Sequence, residues 1–189
     1  RWWIALGESK TTIAQVVERE GGKNPLLEIT LESEESIKEL SFLLGFDENP
    51  LPFYQLGERD PVMSNIIKEF YGARIPRSRS LFEAAVTTIL EQQISMKVAS
   101  TLRKRLVERW GGGPFYREGE AIFAFPTPGD IAKSSPFELR EIGMSNAKAR
   151  TIYQLAKMIE EKEIDPEFWK TLPSSQVVDA LAHLPGIGL

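Results

Sequence analysis

Ser174-Ser175-Gln176-Val177-Val178-Asp179-Ala180-Leu181-Ala182-His183-Leu184-Pro185-Gly186-Ile187-Gly188-Leu189 joins two patterns. After Ser174, the residues Val177, Val178, Leu181 and Leu184 recur at helical spacing, and the chain then runs directly into Pro185-Gly186-Ile187-Gly188. Two glycines allow a tight turn and the close approach of another backbone. Amide N–H groups opening a following helix would then point at an anion with the helix dipole behind them. A unit of this kind grips a phosphate without reading bases. A bare Pro-Gly-X-Gly also suits a plain helix C-cap with a Gly-rich turn, and the amphipathic helix ahead of it favours the first reading.

Upstream, the period stays helical from Asp60 onward. Val62, Ile66, Ile67 and Phe70 share a face that stops at Gly72. Ser80 and Glu83 have capping-box spacing ahead of Phe82, Ala85, Val86, Ile89 and Leu90. Ser95 caps a helix with Val98, Ala99, Leu102, Leu106 and Trp110 inward, ended by Gly111-Gly112-Gly113-Pro114. No Lys-Ser/Thr pair follows these glycines, so they mark a loop and not a phosphate cradle. Phe125-Pro126-Thr127-Pro128 is a break. Ser135-Pro136-Phe137-Glu138 opens a short helix closed by Gly143, and Ser145 opens a longer one through Ala149, Ile152, Tyr153, Ala156 and Ile159.

The first third differs. Thr11–Val17 and Leu26–Leu31 are β-leaning runs around Gly21-Gly22-Lys23-Asn24-Pro25, which predicts a small antiparallel sheet. Ser33 and Glu34-Glu35 then open a helix through Ile37, Leu40, Leu43 and Leu44 to Gly45. Residues 47–52 read as a connection. The fold class is therefore α+β and mostly α, with a sheet-containing domain over 1–59 and a helical domain over 60–189.

With 189 residues, 42% hydrophobic and 26% charged, the chain is long enough for a real core and is no disordered or collagen-like sequence. No apolar run approaches the roughly 20 residues of a membrane span, so a soluble, intracellular protein is expected. Without Cys, and with His183 as the single His, a zinc site of nitrogen and sulfur ligands and thiol or second-His triad chemistry are excluded. His183 itself reads as a helix-surface residue. The formal net charge of −4 speaks against a nucleic-acid partner until its distribution is seen. Residues 18–60 carry 11 acidic against 4 basic side chains, whereas 73–110 carry 8 basic against 3 acidic. That stretch suits a phosphate-binding face, though it suits the solvated sides of helices as well.

Taken in order, Phe82-Glu83, Ile89-Leu90-Glu91-Gln92-Gln93-Ile94-Ser95, Phe125-Pro126-Thr127-Pro128, Ile142-Gly143-Met144 with Lys148-Ala149-Arg150, and Leu184-Pro185-Gly186-Ile187-Gly188 resemble the helix-hairpin-helix DNA glycosylase superfamily. Within it the chain is most similar to the alkylation-repair (3-methyladenine) glycosylases, over roughly residues 60–189, and the sheet region resembles their N-terminal domain. The resemblance implies that the sheet domain is incomplete at its start and that the helical helix-hairpin-helix core is truncated at its C-terminus.

The resemblance implies that Gly186, Ile187, Gly188 and Gln93 contact DNA, and the basic stretch adds Arg74, Arg77 and Lys97 as expected phosphate contacts. Gln92 would line the base pocket, and Gln93 would fill the gap left by a nucleotide flipped out to expose its glycosidic bond. It implies no required cofactor, with Na+ or K+ at the hairpin on the carbonyls of Ala182, Leu184 and Ile187. The partner is double-stranded DNA with a damaged base, the protein a monomer in the cytoplasm, nucleoid-associated in a prokaryote or nuclear in a eukaryote. The chemistry implied is hydrolysis, with an Asp expected beyond Leu189 supporting the oxocarbenium-like sugar while a cationic alkylpurine leaves. No catalytic residue is assigned within the chain, and the fragment by itself is expected to be inactive. Two rivals stand beside this reading. One is a glycosylase and lyase for oxidised bases such as 8-oxoguanine, which would place a Lys nucleophile just after Leu189. The other is a non-catalytic DNA-binding helix-hairpin-helix module.

Overall fold

The computed structural model describes residues 2–7, 12–20, 26–31, 36–57 and 59–183. The chain divides into two compact units, Arg1–Arg77 and Ser78–Leu189.

In the first unit β1 (Trp2–Leu6), β2 (Thr12–Glu20) and β3 (Leu26–Thr30) form an antiparallel sheet in the order β1-β2-β3. Because side chains alternate across a strand, the register Ile4↔Ala14 and Leu6↔Thr12 puts Ile4, Leu6, Ala14 and Val16 on one face. There they meet Leu40 of α1 (Ser36–Leu43), with Leu31, Leu43 and Leu44 packed around them. A polar tie joins helix and sheet, since the Gly7 amide donates to Glu39 Oε2 at 2.9 Å. The expected cap Ser33 lies outside the described residues.

Two further helices complete this unit. The stretch read as a connection ends in α2 (Leu51–Gly57), and α3 (Pro61–Glu69) follows. Asp60 caps α3 by accepting from the amides of Val62 and Met63. Tyr54 stacks on Tyr71 at 4.9 Å and accepts from the Gly72 amide. These two helices pack on each other on either side of residue 59, so the boundary expected there falls inside the first unit. Of the apolar face expected on α3, Ile67 is buried, while Val62, Ile66 and Phe70 are exposed.

The second unit is built around α8 (Asn146–Glu160), against which α4 (Leu81–Glu91), α6 (Pro128–Ala132) and α7 (Pro136–Glu141) pack. With α5 (Met96–Trp110) they enclose Phe82, Val86, Ile89, Leu90, Leu102, Leu106, Ile131, Leu139, Ile152 and Leu155. Ser80, Ser95, Ser135 and Ser145 all cap as their spacing predicts, and Thr127 adds a full capping box with Asp130 where only a break was expected. The hairpin β4 (Phe115–Arg117) and β5 (Glu120–Ile122) turns through Glu118 and Gly119, both at positive φ. The short α9 (Pro166–Trp169) and then α10 (Ser174–Ala182) end the described chain. Ser174 is the first residue of α10 and not its cap, a place held by Pro173 without a side-chain bond.

Between α7 and α8, Gly143 lies at φ +104, where an added Cβ would meet Arg105 Nη1 at 3.1 Å and Leu102 Cδ2 at 3.4 Å. Arg105 needs that space, because its Nη1 donates to the Ile142 carbonyl at 2.9 Å. Gly143→Ala is expected to destabilise this unit by about 2 kcal/mol, mostly as backbone strain, seen as a lower denaturation midpoint at unchanged m-value.

Candidate nucleic-acid interface

Gln92 and Gln93 lie on the turn that joins α4 to α5, and Lys97 follows in the first turn of α5. Gln92 is the C-cap of α4, half-buried, with its amide donating to the Thr88 carbonyl at 3.2 Å. Gln93 is exposed and sits at φ +55. That left-handed backbone costs a side-chain-bearing residue of order 1–3 kcal/mol and persists only where its surroundings impose it. Three contacts do so here. Ile94 packs against the core beneath the turn. Ser95 Oγ accepts from the Val98 amide at 3.4 Å and starts α5 at once. From the far side Lys148 Nζ donates to the carbonyls of Leu90 at 2.6 Å and Gln92 at 2.7 Å. The result is a corner held by these three contacts, with exposed Gln93 at its apex and exposed Met96 and Lys97 beside it.

A cleft of about 200 Å³ opens next to this corner between α4 and α5, lined by Thr87, Leu90, Met96, Ser100 and Arg103. It is smaller than the usual small-molecule pocket of roughly 300–1,000 Å³, and Gln92 does not line it.

Several side chains of the basic stretch are paired with acids at the surface. Arg103 pairs with Glu83 at 2.8 Å and lies over the Phe125 ring, Arg109 pairs with Glu141 at 2.7 Å, and Lys104 faces Glu108 at 3.7 Å. Lys97 is exposed and in no ion pair among the described residues. Arg74 and Arg77 belong to the first unit. There Arg74 Nη1 donates to the Glu48 carbonyl at 2.8 Å. Arg77 pairs with Asp47 and Glu48 and covers the Phe42 ring, and those two carboxylates raise its guanidinium above the ordinary value.

Gly186, Ile187 and Gly188 lie outside the described residues, as do Leu184 and Ile187 of the expected cation carbonyls. Ala182 is half-buried at the end of α10, and His183 is exposed with Nδ1 2.6 Å from the Asp179 carbonyl. Among the described residues no cluster of His, Cys, Asp and Glu could hold a metal ion, and no helix is long and apolar enough to cross a membrane.

Lys148 is the functional candidate that spacing alone did not single out. A signal was present, because α4, α6 and α7 carry an acid three residues after the cap, at Glu83, Asp130 and Glu138, whereas α8 carries a lysine there. A cation at the positive end of a helix dipole is placed against that helix's own interest.

Residues 86–184, just over half of the chain, match the model of the HhH-GPD superfamily base excision DNA repair proteins. The chain belongs to this superfamily. The HhH-GPD match takes in most of α4, the corner at Gln93, the Lys148 contact and α10. Among relatives, a DNA-3-methyladenine glycosylase of Bacillus subtilis is 29% identical over 155 residues, which is 82% of this chain and 51% of that protein. The structure of a 3-methyladenine DNA glycosylase from Archaeoglobus fulgidus aligns with a TM-score of 0.80 at 27% identity, over 99% of this chain and 64% of that one. An 8-oxoguanine glycosylase/lyase from Clostridium acetobutylicum, in complex with double-stranded DNA, aligns with a TM-score of 0.78 at 18% identity over 97% of this chain and 64% of its own, a likeness of fold. The chain thus spans about half the length of the Bacillus relative and under two thirds of the aligned structures.

Proposed function

We propose that the whole protein is a DNA glycosylase that hydrolyses the N-glycosidic bond of alkylated purines of the 3-methyladenine type after flipping the nucleotide out of duplex DNA. The identity to the Bacillus 3-methyladenine glycosylase over 82% of this chain carries this reading, and the corner at Gln93 gives it a physical form. In the bond-breaking step the C1′–N bond cleaves with its electron pair going to the cationic purine, which leaves neutral. Water adds to C1′ and gives up a proton. A carboxylate beyond Leu189 would stabilise the positive sugar, in a site where fixed charges count for more than in water.

Gln92 borders the flipped base in this reading, Gln93 enters the stack, and the hairpin at Gly186, Ile187 and Gly188 holds a phosphate, with Ala182, Leu184 and Ile187 offering carbonyls to a monovalent cation. The deciding experiment uses the full-length protein and a duplex with one alkylpurine, with and without alkali afterwards. Base release with strand scission only after alkali supports the hydrolytic reading. Scission without alkali, trapped by borohydride, would replace it with the lyase, and binding without any release would leave a DNA-binding module.

Phosphate contacts can be separated by salt. Lys97→Ala is expected to reduce the slope of log affinity against log salt by about 0.9. Arg109→Ala, which removes a side chain already paired with Glu141, should leave the slope nearly unchanged. Fluorescence anisotropy on undamaged duplex at several salt concentrations measures both, and equal slopes for Lys97→Ala and wild type would remove Lys97 from the interface. Arg74 and Arg77 are to be scored in the same titration, with Arg77 contributing less because Asp47 and Glu48 hold it.

A further inference from the structure

We propose that Lys148 is a positioning residue whose ammonium, reaching from the first turn of α8, locks the end of α4 and thereby fixes the corner from which Gln93 projects. Its consequence for base release rests on the glycosylase reading, and its geometry on the two Lys148 contacts. Helix α4 ends at Glu91, and the last carbonyls of any helix lack intrahelical partners and carry the negative end of the dipole. Lys148 Nζ takes two carbonyls at this end, those of Leu90 and Gln92, 58 and 56 residues away in sequence. Residues 90 and 92 are thereby held from one point, and the next residue, Gln93, is the one in the left-handed conformation.

The hold has two parts, charge and direction. A cation at a helix C-terminus is favourable, and a tetrahedral ammonium can aim separate protons at two carbonyls. Burial pushes the Lys148 ammonium below the ordinary lysine value, which is the desolvation cost of reaching this place. Position three of α8 gains nothing from a cation, so the benefit lies at α4. Neither proton goes to a carboxylate, and Lys148 is thus no member of the surface ion pairs that take up Arg103, Lys104 and Arg109.

The test compares full-length wild type, Lys148→Met and Lys148→Arg by amide hydrogen exchange, by affinity for undamaged duplex and by single-turnover base release from an alkylpurine duplex. Lys148→Met is expected to speed exchange across residues 88–95 about tenfold, while amides in the middle of α5 and α8 keep their protection. Base release should slow about tenfold through misplacement of the corner, with affinity for undamaged DNA within about twofold of wild type. Lys148→Arg, which keeps the charge and the donors, should recover part of both losses. A fold-wide destabilisation would move every amide and would not be rescued in this pattern. Unchanged protection over 88–95 in Lys148→Met would overturn the proposal, as would lost protection with undiminished base release. If the wild-type protein releases no base from any substrate, the glycosylase reading falls, while exchange over 88–95 still decides whether Lys148 holds the corner.

Discussion

Phe82→Ala is expected to cost the second unit about 3–5 kcal/mol, the range for emptying a buried aromatic site that cannot fully collapse. Phe82 is 2% exposed on the first turn of α4, with its ring edge-on to Phe125 at 6.5 Å between centroids. Val86, Ile89 and Leu106 share the same core, and all three sit on helices whose caps and turns fix where they lie. The walls therefore have little freedom to move in and refill the space. Against a whole-domain stability of roughly 5–15 kcal/mol, a loss of this size removes a large share of the margin. Urea unfolding followed by tryptophan fluorescence would show the midpoint falling at constant m-value, and Phe82→Leu should lose distinctly less because most of the volume stays. A loss below about 1 kcal/mol for the alanine variant would mean that Phe82 is not the keystone of this core. The consequence reaches the interface, because α4 carries the Gln92–Gln93 corner at its other end.

How much of this was legible depended on the distance over which each feature is determined. Ser80 with Glu83 and Ser135 with Glu138 cap as read because the bonds close within three residues. The inward faces of α4 and α8 follow from period alone, with Phe82, Val86, Ile89, Ala149, Ile152 and Ala156 all buried. Period failed on α3, where Val62, Ile66 and Phe70 form a face as regular as any other and are exposed. Regular spacing states that a helix has an apolar side and does not state what meets it. Short elements were invisible for a different reason. The strands of the β4–β5 hairpin have three residues each, too few to establish alternation, and the turn at Glu118–Gly119 holds them together. Trp2–Leu6 reads as a continuous apolar run, and becomes β1 only through its pairing with β2.

The site was divided along the same line. Gln92 and Gln93 stood out by their place in an ordered set of motifs, and a left-handed backbone at Gln93 is a local fact no motif displays. Arg103, Lys104 and Arg105 read as an outward basic cluster, in a stretch over 73–110 that also holds Arg109. Their acids Glu83 and Glu141 lie 20 and 32 residues away from Arg103 and Arg109, so the neutralisation was hidden. The Lys148 bonds span still more chain.

Gln93→Ala in the full-length protein is expected to slow single-turnover base release from an alkylpurine duplex about 10–100-fold, equivalent to roughly 1.4–2.7 kcal/mol of lost transition-state stabilisation. Flipping a nucleotide costs a few kcal/mol of stacking and pairing. A side chain that enters the vacated space recovers part of that cost, and alanine cannot reach. Backbone conformation is the competing explanation, because Gln93 sits at φ +55, where any L-residue is strained. Gln93→Gly separates the two. Glycine accepts a positive φ without penalty, and alanine is strained there no more than glutamine, so a corner that matters only for its shape would keep its rate with both. The proposed insertion requires both variants to be slow. It also requires the defect to disappear on a single-stranded substrate, where there is no stack to enter. A wild-type rate for Gln93→Ala on duplex, or an equal defect on both substrates, would take the insertion role away from Gln93 and leave the corner as a piece of scaffold.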